Sequence, residues 1–165
     1  MILDILKRLL LMFLFAMAHA LVLHRIHVFH FATPLLYVYF VFLFPRNYPR
    51  WAMLLWCFFM GLVIDIFSNT PGVASASMTL AGVLQPVFLS FFLPRDAEEN
   101  MPVSAAMLGI GKYMALVLSL TFVYCTMYFT LESFNFFNWM YWLESIIGTT
   151  LLTSSLILAF EGFRK

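Results

Sequence analysis

The chain has 165 residues, of which 64% are hydrophobic, 19% aromatic and 10% charged, and its formal net charge is +1. Soluble domains carry about 25% charged residues, so this composition excludes a globular domain that covers its surface with polar groups. The near-zero net charge gives no sign of nucleic-acid binding. We therefore predict a single integral membrane domain over residues 1–165, in contact with the lipid bilayer, with no second globular domain.

Six apolar stretches are candidate membrane-spanning helices, each of which needs roughly 20 residues to cross about 30 Å of hydrocarbon. They are predicted near residues 5–23, 28–44, 51–67, 73–93, 103–131 and 139–160. The breaks between them combine Pro, Gly, Asn and charged residues, which end helices and turn the chain. The second and third stretches are short and could also form a tilted or re-entrant pair. The predicted fold class is an all-α, polytopic membrane bundle of about six transmembrane helices.

The basic residues indicate the orientation, because cytoplasmic loops carry an excess of Lys and Arg. With six spans and both termini in the cytoplasm, every basic residue except Arg25 falls on or near the inner side. Trp51 and Trp139 begin their spans, where interfacial aromatic anchors belong. This pattern predicts a multi-pass protein with both termini cytoplasmic.

The N-terminal segment also has features of a secretory signal. Lys7 and Arg8 precede an apolar run that ends in the small-residue sequence Ala18-His19-Ala20. The match is one of composition alone, and the basic pair can equally reach the inner interface from a retained helix. We expect an uncleaved first helix.

The cysteines and histidines are candidates for redox or metal chemistry. Cys57 and Cys125 lie in different spans without the spacing of a ligand set, so we expect no redox site. His24, His27 and His30 recur at every third residue in the first outer loop, and neighbouring imidazoles can bind metal or sense pH. Because no Cys or carboxylate stands beside them, we expect interfacial side chains, no metal and no cofactor.

A carboxylate stands inside the third span, in the sequence Gly61-Leu-Val-Ile-Asp65. Inserting an acid into hydrocarbon costs about 3 kcal/mol or more, so such a residue usually faces a protein interior or a wet cavity. Cys57, Gly61 and Asp65 are spaced four residues apart, which places two small residues and the acid on one helix face. Another helix backbone can approach such a face closely.

Asp65 has several candidate partners. Hydrogen bonds to Ser68, Asn69 or the backbone amides of the turn at residues 68–72 are expected ahead of a long ion pair with Lys112. A shared proton or a water-filled vestibule with Glu144 is an open alternative. Asp65 is thus either the cap of a turn or part of a docking surface.

The fourth span adds a polar group at Gln85 and a kink at Pro86, because proline frees a carbonyl one turn earlier. That kink could shape a groove. In the sixth span Ser145, Thr149 and Thr153 form a small, hydrogen-bonding stripe suited to helix packing. The candidate partner-binding or structural residues are Gly61, Asp65, Asn69, Pro71, Gly72 and Gln85.

The central segment resembles a known family. A span ending in Gly61-Leu-Val-Ile-Asp65, a short turn with Gly72 and a small-residue helix starting Val73-Ala74 resemble the signature of the bacterial rod-shape-determining protein MreD family, most strongly over residues 59–84. The resemblance implies a location in the bacterial cytoplasmic (inner) membrane. It also implies a fold like that of the vitamin-binding subunits of energy-coupling-factor transporters, which are the substrate-binding subunits of those transporters.

The same resemblance implies a non-enzymatic role in cell elongation, rod shape and peptidoglycan synthesis. Members are associated with the bitopic protein MreC, the MreB filament, and the peptidoglycan polymerase and transpeptidase. We therefore expect a scaffold without catalytic residues, in which the stripe around Gly61 and Asp65 and the following turn form a groove for a partner helix or juxtamembrane segment.

Two other functions remain as alternatives. In a small-molecule-binding transporter subunit, Ala16 and Ala20 would pack against a coupling protein and an outer cavity near Asp65 and Glu144 would take a cationic solute. An intramembrane hydrolase would combine Asp65 with a histidine, but these residue types fall on unrelated segments without a recognised motif.

Overall fold

The computed structural model of the protein describes residues 2–21, 34–45, 47–93, 103–133 and 138–163. Throughout these ranges the regular structure is helical and no strand is present. This confirms the predicted all-α class. The elements are α1 (Ile2–Leu21), a 3-10 helix (Leu36–Val38), α2 (Tyr39–Phe42), α3 (Arg50–Ser68), α4 (Val73–Phe92), α5 (Ala105–Leu108), α6 (Ile110–Glu132) and α7 (Trp139–Phe163).

Four of the described helices are long and apolar enough to cross a membrane, which makes this a multi-pass membrane protein. They are α3, α4, α6 and the segment Trp139–Gly162 of α7. The predicted third, fourth and sixth spans agree closely with α3, α4 and α7. The predicted first span corresponds to α1, which carries Asp4, Lys7 and Arg8 near its start.

Of the second membrane span predicted over residues 28–44, the described part is not one long helix. Residues 28–33 lie outside the described ranges, and the rest forms the 3-10 helix and the single turn of α2. Every side chain from Tyr37 to Phe42 is buried, so no face of this segment is left for lipid. Irregular backbone is tolerated at membrane depth where protein surrounds it. We call residues 34–44 the enclosed segment.

The predicted fifth span over residues 103–131 is likewise not one helix. It divides at Gly109, which separates α5 from α6 and has φ 82° and ψ 146°. Glycine adopts positive φ without the steric penalty of a side chain, so it permits the break. An apolar run conceals such a break because hydropathy does not depend on backbone conformation.

Helices α3 and α4 form an antiparallel hairpin whose backbones approach closely. A Cβ atom placed on Gly61 would clash with the Cα atom of Ser75, and one placed on Gly82 would lie 3.0 Å from Cys57 Sγ. The predicted close approach along the Cys57 and Gly61 stripe is therefore confirmed. The helix that approaches is α4 of the same chain.

The bundle has two distinct ends. The turn at residues 69–72 marks one, which we call the turn end, and Tyr128 of α6 lies near Thr70 there. At the opposite end the guanidinium of Arg8 stacks on the Tyr48 ring, just before α3 begins. The basic residues of the described ranges lie at this opposite end, the basic end: Lys7, Arg8, Arg50 and Lys112.

Gly61→Ala should destabilise the hairpin, because the new methyl group meets backbone atoms of α4 that cannot move independently. Overpacking of this kind costs about 1–3 kcal/mol. Thermal unfolding of the detergent-purified protein measures the effect as a lower Tm. Gly111→Ala is the matched control, since a Cβ atom there meets nothing within 4 Å. Equal Tm values for the two variants would contradict the close approach.

Candidate functional site

Asp65 caps the N-terminus of α4 from the neighbouring helix. The side chain is only 7% exposed. Its Oδ1 atom accepts a hydrogen bond from the Ala74 amide at 2.8 Å, and its Oδ2 atom accepts one from the Ser75 amide at 2.9 Å. Helix α4 begins at Val73, so these amides belong to its first turn and have no acceptor inside the helix. The helix dipole also favours a carboxylate at this position.

The same residue also holds the turn between the two helices. The Asp65 carbonyl accepts hydrogen bonds from the amides of Asn69 and Thr70, and the Thr70 hydroxyl donates to Oδ1 at 3.2 Å. Asn69 and Gly72 both have left-handed backbone, with φ 56° and 86°. Asparagine and glycine are the residues that most readily adopt this conformation. The result is a fixed turn in which Asn69, Pro71 and Gly72 are exposed.

This geometry decides between the sequence-based alternatives for Asp65. The carboxylate binds backbone amides, as the capping interpretation expected, but they lie in the first turn of α4, directly after the turn. Lys112 is at the basic end, far along the bundle. Glu144 is exposed near the start of α7, whereas Asp65 is buried against α4, so the two carboxylates have different surroundings.

The face of α3 on which a partner groove was predicted, around Gly61 and Asp65, is covered within the bundle. Both residues are buried, and α4 occupies the face on which they lie. A small-residue face in lipid packs against whichever helix is near, and here the following helix is joined to it by a short turn. Of the candidate residues, those that remain accessible are Asn69, Pro71 and Gly72 of the turn.

A second buried carboxylate, Glu161, was missed by the sequence analysis. Its Oε2 atom accepts a hydrogen bond from the Tyr39 hydroxyl at 2.6 Å, and its Oε1 atom accepts one from the Ala105 amide at 3.4 Å. Glu161 thus joins the end of α7 to the enclosed segment and to the start of α5. The sixth span was predicted to end at Phe160, which left this acid outside it.

A signal for Glu161 was present in the sequence. The stripe predicted from Ser145, Thr149 and Thr153 continues at the same four-residue spacing through Ile157 to Glu161. All five side chains are buried in the structure. Extending the stripe by two steps would have placed the acid on the packed face of α7.

Hydrogen bonds from three long helices hold the enclosed segment. They join the Leu35 amide to Thr153 Oγ1 at 3.1 Å, the Tyr37 hydroxyl to the Tyr124 hydroxyl at 2.5 Å, and Gln85 Nε2 to the Phe44 carbonyl at 3.3 Å. Gln85, a candidate residue from the sequence, therefore satisfies a backbone acceptor where the enclosed segment ends. Backbone groups that lack a helical partner are thus paired with side chains.

Two grooves flank the start of α3 at the basic end. The α1/α3 groove has a volume of about 720 Å³ and lies between α1 and the first half of α3. The Pro86 groove, about 710 Å³, lies between residues 45–54 and the second half of α4, and both Gln85 and Pro86 line it. A groove is therefore found beside Pro86, where the sequence analysis expected one.

The metal and redox candidates identified in the sequence are three histidines and two cysteines. His24, His27 and His30 lie outside the described residues. In the described part of the chain no three His, Cys, Asp or Glu side chains form a cluster that could hold a metal ion. Cys57 and Cys125 are free, buried thiols.

Comparison of the chain with protein-family models, curated proteins and solved structures finds no match. The role of the Asp65 turn is therefore inferred from its geometry and from the sequence. What that geometry provides is a rigid, exposed four-residue loop at one end of a membrane bundle.

Asp65→Ala should lower stability, because the Ala74 and Ser75 amides lose their acceptors in a buried position. Each unsatisfied donor costs about 1–3 kcal/mol. Asp65→Asn should have an intermediate effect, since one carbonyl oxygen still accepts while the new amide group faces a donor. Thermal unfolding in detergent ranks the variants. Glu144→Ala, which removes an exposed acid, should leave the Tm unchanged, and a Tm for Asp65→Ala equal to that control would exclude the cap.

Glu161→Ala should also lower stability, because it leaves the Tyr39 hydroxyl and the Ala105 amide without their acceptor. Tyr39→Phe removes only the phenol donor, and a typical hydrogen bond contributes about 0.5–1.5 kcal/mol, so its effect should be smaller. A double-mutant cycle on the Tm or on the free energy of unfolding measures the coupling. Additive effects of the two substitutions would show that the Glu161 to Tyr39 contact contributes nothing.

Proposed function

We propose that the protein is a non-enzymatic membrane scaffold of the bacterial cell-elongation machinery, with a role like that of the MreD family. It would bind a bitopic, MreC-like protein and link it to the MreB filament and to the peptidoglycan polymerase and transpeptidase. The observation that carries this proposal is the turn at residues 69–72. Asp65 bonds to Thr70 within the turn and to the amides that follow it. The exposed side chains of the turn are free to contact another protein.

The proposed orientation places the turn outside the cytoplasm. The basic end holds Lys7, Arg8, Arg50 and Lys112, and an excess of Lys and Arg is typical of the cytoplasmic side. With the basic end inside, both termini are cytoplasmic and the turn lies at the outer surface of the inner membrane. A bitopic partner emerges from the bilayer at the same level, so its juxtamembrane segment can reach the turn.

The use of the two buried acids supports a role without catalysis. Asp65 and Glu161 both accept hydrogen bonds from the amides that begin a helix, so each carboxylate has a structural task. A scaffold needs a rigid surface, and carboxylates placed in this way provide rigidity. The proposed fold, like that of the substrate-binding subunits of energy-coupling-factor transporters, is consistent with such a helical bundle.

The alternative, a small-molecule-binding transporter subunit, receives less support from the geometry. Ala16, which was expected to contact a coupling protein, is buried inside the bundle. Asp65, which was expected to bind a cationic solute, has both carboxylate oxygens engaged by α4. A scaffold function accounts for both residues without a further ligand.

Replacing the exposed side chains of the turn should weaken partner binding without unfolding the protein. Asn69→Gly keeps the left-handed backbone and removes the side chain. Pro71→Ala removes most of the exposed side chain two residues later. We expect the double variant to recover several-fold less of the host's MreC protein on purification from native membranes. Cells that depend on this variant should lose their rod shape.

The matched control is Asn138→Gly, which removes the same side chain from an exposed position before α7. It should leave MreC recovery and cell shape unchanged, and the Tm of all variants should equal that of the parent protein. Normal MreC recovery by the double variant would exclude the turn as the interface. Recovery of an ATP-driven transporter complex in place of MreC would contradict the proposed function.

A further inference from the structure

The α1/α3 groove at the basic end has an apolar floor on α3. Trp51, Leu55 and Phe59 are spaced four residues apart and line it, with exposed fractions of 70%, 48% and 51%. Eight residues of helix rise about 12 Å. One leaflet contributes about 15 Å of the hydrocarbon core, so this apolar stripe extends over most of one leaflet.

The mouth of the groove holds a positioned cation. The Arg8 guanidinium lies 4.7 Å from the centre of the Phe44 ring and 4.3 Å from that of the Tyr48 ring. The two aromatic rings hold the guanidinium in place by cation–π attraction. A guanidinium held in this way can donate two parallel hydrogen bonds to a phosphate.

The charges around the mouth favour an anion. Asp4 lines the groove one turn before Arg8, and Arg50 at the start of α3 adds a further positive charge at the same end of the bundle. Tyr48 and Trp51 lie beside the mouth, and both residue types are enriched at the level of lipid headgroups. A cation, interfacial aromatics and an apolar stripe therefore follow one another along the membrane normal.

We propose that the α1/α3 groove binds one anionic phospholipid. Its phosphate accepts hydrogen bonds from Arg8, and one acyl chain lies along Trp51, Leu55 and Phe59. The lipid fills the space between α1 and α3 at the basic end and thereby holds the charged start of α1 against the bundle. This site does not depend on the proposed function, since it lies at the opposite end from the turn at residues 69–72.

The test compares phosphatidylglycerol with phosphatidylcholine of the same acyl chains, added to the detergent-purified protein. Native mass spectrometry counts bound lipids, and thermal unfolding measures stabilisation. The parent protein should bind one phosphatidylglycerol in preference to phosphatidylcholine and gain Tm from it. Arg8→Gln should weaken this binding at least tenfold, because a charge-assisted hydrogen bond contributes about 1.5–3 kcal/mol and tenfold corresponds to about 1.4 kcal/mol.

Lys7→Gln is the matched control, because it removes the same charge from the adjacent, exposed position outside the groove lining. It should retain the lipid preference. Equal losses in the two variants would show diffuse electrostatic attraction and overturn the proposal, as would the absence of any preference for phosphatidylglycerol.

Two further measurements separate the remaining outcomes. If Arg8→Gln unfolds, Arg8→Lys keeps the charge but cannot stack or donate in a fork, so it should still lose most of the preference. A photo-crosslinking residue introduced at Leu55 in native membranes should capture lipid. Capture of a protein helix at that position, or stabilisation by inorganic phosphate equal to that by phosphatidylglycerol, would overturn the assignment.

Discussion

Every backbone amide and carbonyl inside a membrane bundle needs a partner from the protein, and the arrangement of this chain follows from that requirement. Long helices satisfy their own interiors, so the unmet groups lie at helix ends and in the enclosed segment. Asp65 supplies acceptors for the start of α4, and Glu161 supplies one for the start of α5. Gln85 donates to the carbonyl of Phe44. These three polar side chains are thus placed where the backbone lacks internal partners.

This requirement also explains how a short, irregular segment can replace a helix within the bundle. Residues 34–44 form only short helical turns, and side chains of α7 and α4 pair with the Leu35 amide and the Phe44 carbonyl, while Tyr124 of α6 bonds the Tyr37 hydroxyl. Tyr39 reaches Glu161 from the same segment. The enclosed segment is therefore part of the core around which the long helices pack, and its aromatic side chains fill that core.

The sequence predicted the parts of the fold that depend on local pattern. Apolar runs bounded by turn residues located α3, α4 and α7, and the spacing of Cys57, Gly61 and Asp65 indicated the face of α3 that packs closely. It could not predict which helix covers that face, because other helices of the chain also carry small-residue faces that could pack against it. The break at Gly109 and the fold of residues 34–44 were missed for a related reason, since hydropathy is the same for a helix and for an enclosed segment.

Asp65 and Glu161 differ in how far along the chain their hydrogen-bond partners lie from them. All the partners of Asp65 lie within ten residues after it, on the turn and on the first turn of α4. Helices α3 and α4 can therefore enter the bilayer together as a hairpin whose acid is already paired. Glu161 joins residues 122 and 56 positions earlier in the chain, so its partners are present long before it is synthesised. The first acid is compatible with early insertion, whereas the second completes the bundle when α7 arrives.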